Sequence, residues 1–389
     1  MEFDFLTNPI KLENLKIAND ILHISGSSLN KLIFVYSKPK VGSTCLVSSI
    51  RIFASSVFNV IHIHDEDMLQ VLSKITEVTV NEIILYNRYI GKDVYVIDVY
   101  RSPIERKMST FFEKIDSYHF NNTCEQINKY DIKRVIHRFN KLFPHLANGD
   151  HFMDTYPIQI PDVFDYHNKY LLVEHHGIKY IKLRLKDSSE WGNILTNLFQ
   201  HKIQIIKDYE TIGKPIKDLY LKFKETYQIP SHYLKELVNN CKYLNYYYSL
   251  EEKEEYLKIW EDKMDNSSEI ASFTVEEYKL YEIISLENCH LDTIQLSHYF
   301  DEGCLCQACQ TKRTMVMHKL LEGNEINLNE KIVHEEAKNE FIKHKIHVFK
   351  KLQTIRKENI VNHGFTKFTK LNHGTYNKTG STKLNMKIL

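Results

Sequence analysis

Surplus charge is almost absent from this sequence. Its 51 Lys and Arg face 50 Asp and Glu, a formal net charge of +1, so no global attraction to nucleic acid or to an anionic membrane operates. Long apolar runs are absent too, and none approaches the roughly 18–20 residues of a membrane helix. The opening residues, Met1-Glu2-Phe3-Asp4-Phe5, carry acids and lack the basic-then-apolar pattern of a secretory signal. The expectation is a cytoplasmic chain with no membrane span. Glycine (12) and proline (8) are scarce beside Lys, Asn, Ile and Tyr, a bias that says nothing about chemistry. The cysteines, 7 in all with three crowded into 304–309, do not form a disulfide framework. They point to a reducing compartment and a metal site.

What is present is a globular composition, 43% hydrophobic and 12% aromatic, on a chain long enough for two domains. The most informative stretch is 31–50. An apolar, β-branched run from Leu32 to Tyr36 reads as a buried strand. Pro39-Lys40-Val41-Gly42-Ser43-Thr44 follows at once, and then an amphipathic run that reads as a helix. A strand, a tight loop with one Gly and a helix opening on Ser/Thr make an anion cradle, because the first N–H groups of the helix and its dipole face the ligand. Lys40 adds a mobile point charge. The ligand expected here carries phosphate or sulfate. A nucleotide-triphosphate loop has its Lys after the second Gly, whereas here Lys40 precedes Gly42, which argues against a nucleotide kinase.

The stretch Pro39–Thr44 resembles instead the 5′-phosphosulfate loop of sulfotransferases, which use 3′-phosphoadenosine 5′-phosphosulfate (PAPS) and need no Mg²⁺. A second stretch supports the resemblance. Asp93 to Tyr100 is a strand candidate ending on Arg101-Ser102-Pro103-Ile104-Glu105-Arg106-Lys107-Met108-Ser109. Sulfotransferases bind the 3′-phosphate with an Arg at a strand end and a Ser eight positions on. Arg101 and Ser109 have that spacing, with Pro103 suited to the first helical turn. The segments 35–44, 60–64 (Val-Ile-His-Ile-His), 100–112 and 244–252 (Leu-Asn-Tyr-Tyr-Tyr-Ser-Leu-Glu-Glu) resemble the sulfotransferase-like capsular polysaccharide synthesis family, over roughly 28–263. Where that family tends to have Trp-Phe-Asp, this chain has His151-Phe152-Met153-Asp154.

The resemblance implies a sulfotransferase moving a sulfuryl group from PAPS to a hydroxyl, with a carbohydrate or other hydroxyl acceptor as partner. It implies cofactor contacts by Lys40, Val41, Gly42, Ser43 and Thr44 at the 5′ end and by Arg101 and Ser109 at the 3′-phosphate of PAPS or of the product PAP. Lys40 would also stabilise charge on the bridging oxygen. The base that sulfuryl transfer needs should project from the end of the second strand, where His62-Ile63-His64-Asp65-Glu66 stands. Strand alternation puts His62 and His64 on one face. By resemblance His64 is the first choice and Glu66 the reserve. Asp65 either orients His64 or caps the next helix. His175-His176 reads as a solvent-facing strand-end pair.

Expected elements are strands near 31–37, 57–63 and 93–100, strand-like runs at 170–174 and 178–185, and helices at 43–54, 65–75, 80–91, 102–116, near 127–142 and near 188–200. Irregular chain is expected from 142 to about 166, and helix over 215–263, with Pro215 and Pro230 as helix starts. This alternation predicts an α/β fold, a P-loop sulfotransferase-like parallel sheet flanked by helices. The polar stretch at 265–269 suggests a boundary, giving a PAPS-binding domain at 1–264, a smaller, mainly helical zinc-binding domain at 265–363 and a basic tail at 364–389.

In the second domain, Cys304-Leu305-Cys306-Gln307-Ala308-Cys309 offers three thiolates, soft ligands that select zinc. Residues 285–350 resemble the zinc-binding region of tRNA-guanine transglycosylases, with C-x-C-x-x-C and then a His. Here His334 lies 25 residues after Cys309, one fewer than in that family. The resemblance implies a structural zinc on Cys304, Cys306, Cys309 and His334, with His298, His318 and Cys289 as competing fourth ligands. No base-exchange barrel is recognisable. The competing function is a catalytically degenerate nucleotide-binding fold whose zinc module docks an RNA or protein partner.

Overall fold

The computed structural model describes residues 4–288 except 74, 121, 207–213 and 267–271. Five strands form one sheet: β1 (Lys31–Tyr36), β2 (Phe58–Ile63), β3 (Asp93–Tyr100), β4 (Tyr170–His175) and β5 (Ile178–Arg184), in the order β2-β1-β3-β5-β4. The β1–β2, β1–β3 and β3–β5 pairs are parallel. Helices α1 (Pro9–Ile21), α2 (Ser43–Ala54), α3 (Glu66–Ser73), α4 (Val80–Tyr89) and α5 (Pro103–Glu113) alternate with the first three strands. The expected α/β architecture is present as a mostly parallel sheet.

Alternation along the strands sends side chains into two separate cores. Leu32, Phe34, Ile61, Val94 and Val96 join one with Ile83 of α4 and Met108 of α5. Ile33, Val35, Val60, Ile97 and Leu183 join the other with Leu46 and Ile50 of α2 and with Trp191. The sheet is therefore covered on both faces, as near-continuous apolar strands require.

Four expectations need correction. β4 is antiparallel to β5, with His175 opposite Ile178. His176 and Gly177, at φ 53° and 71°, form the two-residue turn that a tight hairpin demands. The expected helix near 127–142 is a single turn, Cys124–Ile127, and then Ile132–Leu142. Asp131 starts the second by accepting from Lys133 N at 3.0 Å. The helix expected over 102–116 ends at Glu113 and continues as the π-turn Ile115–His119. Within the stretch expected to be irregular, Asp150 caps a helical turn, His151–Asp154.

The segment 217–261 is helical in four pieces, Lys217–Thr226, Ser231–Asn240, Lys242–Tyr247 and Leu250–Glu261, the second starting directly after Pro230. Residues 272–288 stay on the same body. Phe273 N donates to the Lys141 carbonyl at 2.9 Å, and Tyr281, on the helix Val275–Asn288, lies 2.8 Å from His119 Nδ1 through its hydroxyl. Among the described residues no helix is long and apolar enough to cross a membrane.

Candidate functional site

The strand order reverses between β1 and β3. From β1 the chain turns one way to β2 and then crosses back to β3. Ligands of open α/β sheets sit outside the carboxyl ends of the strands at such a reversal. The loops there are 37–42, after β1, and Arg101-Ser102, after β3.

Two left-handed residues shape the first loop, Lys40 at φ 67° and Gly42 at φ 91°. Gly42 directly precedes α2 and is pressed against the neighbouring segment. A Cβ there would lie 2.8 Å from Leu185 Cδ1 and 3.4 Å from Trp191 Cη2. Trp191 is itself fixed by donating Nε1–H to the Arg184 carbonyl at 3.1 Å. Val41 is buried in the α2-side core, which leaves its main chain as what it offers a ligand. Ser43 and Thr44 open α2.

The second loop closes on the first. Arg101 donates Nη1–H to the Lys40 carbonyl at 2.9 Å and also bonds the Tyr220 hydroxyl. On α5, Ser109 and Glu113 are one helical repeat apart and share a face. Glu113 reaches back to Lys40, Oε2 to Nζ at 2.9 Å, and also pairs with Lys214. Glu113 is largely buried, which raises its pKa, but the two ammonium groups win and hold it at about 2. Burial pulls the Lys40 pKa down and Glu113 offsets part of that.

The histidines stand on the other side of the loop. His62 and His64 share a face, ring centroids 4.5 Å apart. His62 Nε2 lies 3.1 Å from Ser43 Oγ. His64 Nδ1 lies 2.8 Å from the Ser37 carbonyl. A carbonyl only accepts, so Nδ1 carries the proton and the lone pair of the neutral ring is at Nε2. Burial lowers the His64 pKa despite that hydrogen bond and Asp65, so the ring is neutral near pH 7. Asp65 caps α3, accepting from Met68 N at 2.8 Å. Glu66 accepts from Val80 N at 3.0 Å and from the Tyr36 hydroxyl at 3.3 Å. It therefore takes the first N–H of α4, which Thr79 and Glu82 cap with a capping box, and burial raises its pKa.

Lys40, Ser43, His64, Arg101 and the Ser109 face thus converge on the sheet reversal, while Glu66 faces the start of α4. Sequence reasoning missed three participants. Glu113 and Lys214 are 73 and 101 residues from their partners, and no local pattern joins them. His151 packs tilted against Tyr36, centroids 4.2 Å and planes 31° apart, and donates Nε2–H to the His64 carbonyl at 2.7 Å. Its place in the stretch that departs from the Trp-Phe-Asp pattern was the available signal.

His175 and His176 pack against each other, tilted, at the hairpin tip, centroids 3.6 Å apart, with His176 exposed. Among the described residues no group of three or more His, Cys, Asp or Glu could hold a metal. Cys304, Cys306, Cys309 and His334 lie outside the described residues, as do Cys289, His298 and His318. Compared with known protein families, curated proteins and solved structures, the chain gives no match.

Proposed function

We propose that the chain is a sulfotransferase that moves a sulfuryl group from PAPS to a hydroxyl, with a carbohydrate as acceptor. The observation that carries this reading is the meeting of the Lys40 loop and Arg101 at the sheet reversal, Nη1 to carbonyl at 2.9 Å. The donor set suits a ligand with phosphates at both ends. Lys40, Lys214 and the first N–H groups of α2 serve the 5′ end, and Arg101 with the Ser109 hydroxyl serves the 3′-phosphate. When bound, PAPS supplies a sulfuryl group on a phosphate leaving group. Lys40 meets negative charge on the bridging oxygen. Ser43 and Thr44 hold the 5′-phosphate, with Val41 and Gly42 contributing main chain. His64 Nε2 takes the proton of the acceptor hydroxyl, and the Ser37 carbonyl keeps that nitrogen the basic one.

Calorimetry with PAP and AMP on wild type and Arg101→Ala tests the cofactor. Wild type should prefer PAP, and losing Arg101 should cost roughly 1.5–3 kcal/mol of PAP affinity. No preference for the 3′-phosphate would refute the assignment of Arg101. With labelled PAPS and a panel of hydroxyl acceptors, His64→Ala should lower turnover by roughly 10²–10⁴ and leave PAP affinity intact. Loss in Glu66→Ala with none in His64→Ala would move the base to Glu66.

A second reading is a degenerate nucleotide-binding fold that docks RNA or a protein through its zinc module. The Glu113 carboxylate favours it, because it already bridges Lys40 and Lys214 where a ligand anion belongs. Tight PAP binding without turnover on any hydroxyl would support it. In both readings Cys304, Cys306, Cys309 and His334 hold one structural zinc. Elemental analysis should find about one zinc per chain, lost in Cys306→Ser.

A further inference from the structure

Beside the Lys40 loop lies a cavity of about 370 Å³, in the size range of small-ligand sites. Its walls come from α5, from 143–149 and from 233–243. Of the phosphate-site residues only Arg101 lines it. The cavity adjoins that site through Gly149. A Cβ on Gly149 would lie 3.4 Å from Cε of Lys38, a residue of the Lys40 loop.

Two neighbouring cations stand in the wall. Arg106 and Lys107 are 6% and 5% exposed. Arg106 donates Nη1–H to the Gly149 carbonyl at 2.8 Å, while its Nε has no hydrogen-bond partner among the described residues. Lys107 Nζ donates to the Leu146 carbonyl at 2.6 Å and to Asn148 Oδ1 at 3.1 Å. These acceptors are neutral, so they aim the head groups without cancelling their charge. Asp98 and Asp150, whose fields reach Arg106, already hold Lys182. Burial, with Arg106 beside it, brings the Lys107 pKa down to about 8, which fits two cations crowded together. Another part of the wall is aromatic, lined by Phe143 and Tyr233. Phe143 and Tyr233 stack with centroids 4.7 Å apart and planes 8° apart.

We propose that this cavity binds the carboxylate and ring of a sugar acid, so that the acceptor is an acidic carbohydrate. This deepens the sulfuryl-transfer reading and rests on it for the role of acceptor. The carboxylate meets Arg106 and Lys107, the charge-assisted pairing that such cations favour. The ring's C–H groups lie against the edges of Phe143 and Tyr233, and Asn240 faces its hydroxyls.

The test is calorimetry of the full-length protein with glucuronate, glucose and benzoate, in the absence of PAPS. Glucuronate should bind at least about tenfold tighter than either glucose or benzoate. Arg106 and Lys107 also brace the fold, so the charge is tuned from exposed lining residues instead. Glu236 and Asn240 both line the cavity and are exposed. Glu236→Gln should tighten glucuronate about threefold, and Asn240→Asp should weaken it about threefold, both effects shrinking with salt. Equal binding of glucose and glucuronate would overturn the anionic site. Equal binding of benzoate would overturn the sugar. Indifference to both substitutions would overturn the location. PAP titrated into the same preparations separates the two claims. PAP binding without glucuronate binding refutes this cavity alone, and the reverse refutes the cofactor reading while the sugar-acid site stands.

Discussion

Two charge clusters in this molecule are mirror images. At the mouth of the Lys40 loop, two cations flank one carboxylate: Lys40 and Lys214 on Glu113. Under the sheet, two carboxylates flank one cation: Lys182 Nζ lies 2.7 Å from Asp98 Oδ2 and 2.5 Å from Asp150 Oδ2. The first cluster has surplus positive charge and side chains that keep 10–14% of their exposure. The second has surplus negative charge and is sealed. It is built for stability, because further donors complete it. Phe152 N reaches Asp98 at 3.0 Å and the Tyr247 hydroxyl reaches Asp150 at 2.8 Å. Surplus charge that is buried must be satisfied from within, and surplus charge at a mouth can be satisfied by a ligand.

The sharpest way to break that comparison is to remove one lysine from each cluster. Lys182→Met should cost roughly 3–5 kcal/mol, since it strands two buried carboxylates. Lys214→Met should cost about 1 kcal/mol or less, because Glu113 keeps Lys40 and solvent is near. Urea unfolding of both variants measures the two costs. Equal losses would mean that the mouth cluster is as structural as the core one.

Acid probes the same contrast at a somewhat smaller scale. Burial holds His151 at about 4, below its ordinary 6.5, and lowers His64 and His119 as well. A base with a depressed folded pKa binds fewer protons folded than unfolded. Its stability contribution is therefore complete above about 6.5 and is lost as pH falls toward 4. For His151 alone that is about 3 kcal/mol at most. Asp98 works the other way. Burial raises it to about 6, so folding gains as pH falls through that value. Glu113, held at about 2, keeps its full contribution above about 4.5 and loses it as pH falls from there toward 2. With three histidines against Asp98, unfolding free energy should fall between pH 6.5 and 4.5 while the mouth cluster stays intact. A flat profile across that range would mean that the histidines are already charged in the folded state.

How much of this was legible in the sequence follows from the range of each interaction. The strand–loop–helix of 31–54 was readable because an apolar β-branched run, a lone Gly and an amphipathic run sit side by side. The shared face of His62 and His64 follows from strand alternation. The direction of β4 was not read, although His176-Gly177 is short enough for a hairpin turn, because the α/β pattern argued for parallel pairing. Asp98 and Lys182 were hidden for a different reason. A polar residue in a strand looks solvent-facing until its partner on another strand is known, and that partner is 84 residues away. Glu113 was invisible as a partner of Lys40 on the same ground.

The smallest predicted effect falls on that last residue. Glu113 supplies the negative charge between Lys40 and Lys214, the place where a ligand phosphate is proposed to sit. A ligand anion must then displace the carboxylate or share the lysines with it. Glu113→Gln keeps the shape and removes the competitor. PAP affinity should rise about tenfold, close to 1.4 kcal/mol. Stability without ligand should drop by about 1 kcal/mol, as the two ammonium groups repel each other, and added salt should restore part of it. Calorimetry with PAP at low and high salt, beside thermal unfolding, reads both quantities. A fall in PAP affinity instead would show that Glu113 positions the Lys40 ammonium for the ligand, and the mouth cluster would then be a fixed scaffold like the one around Lys182.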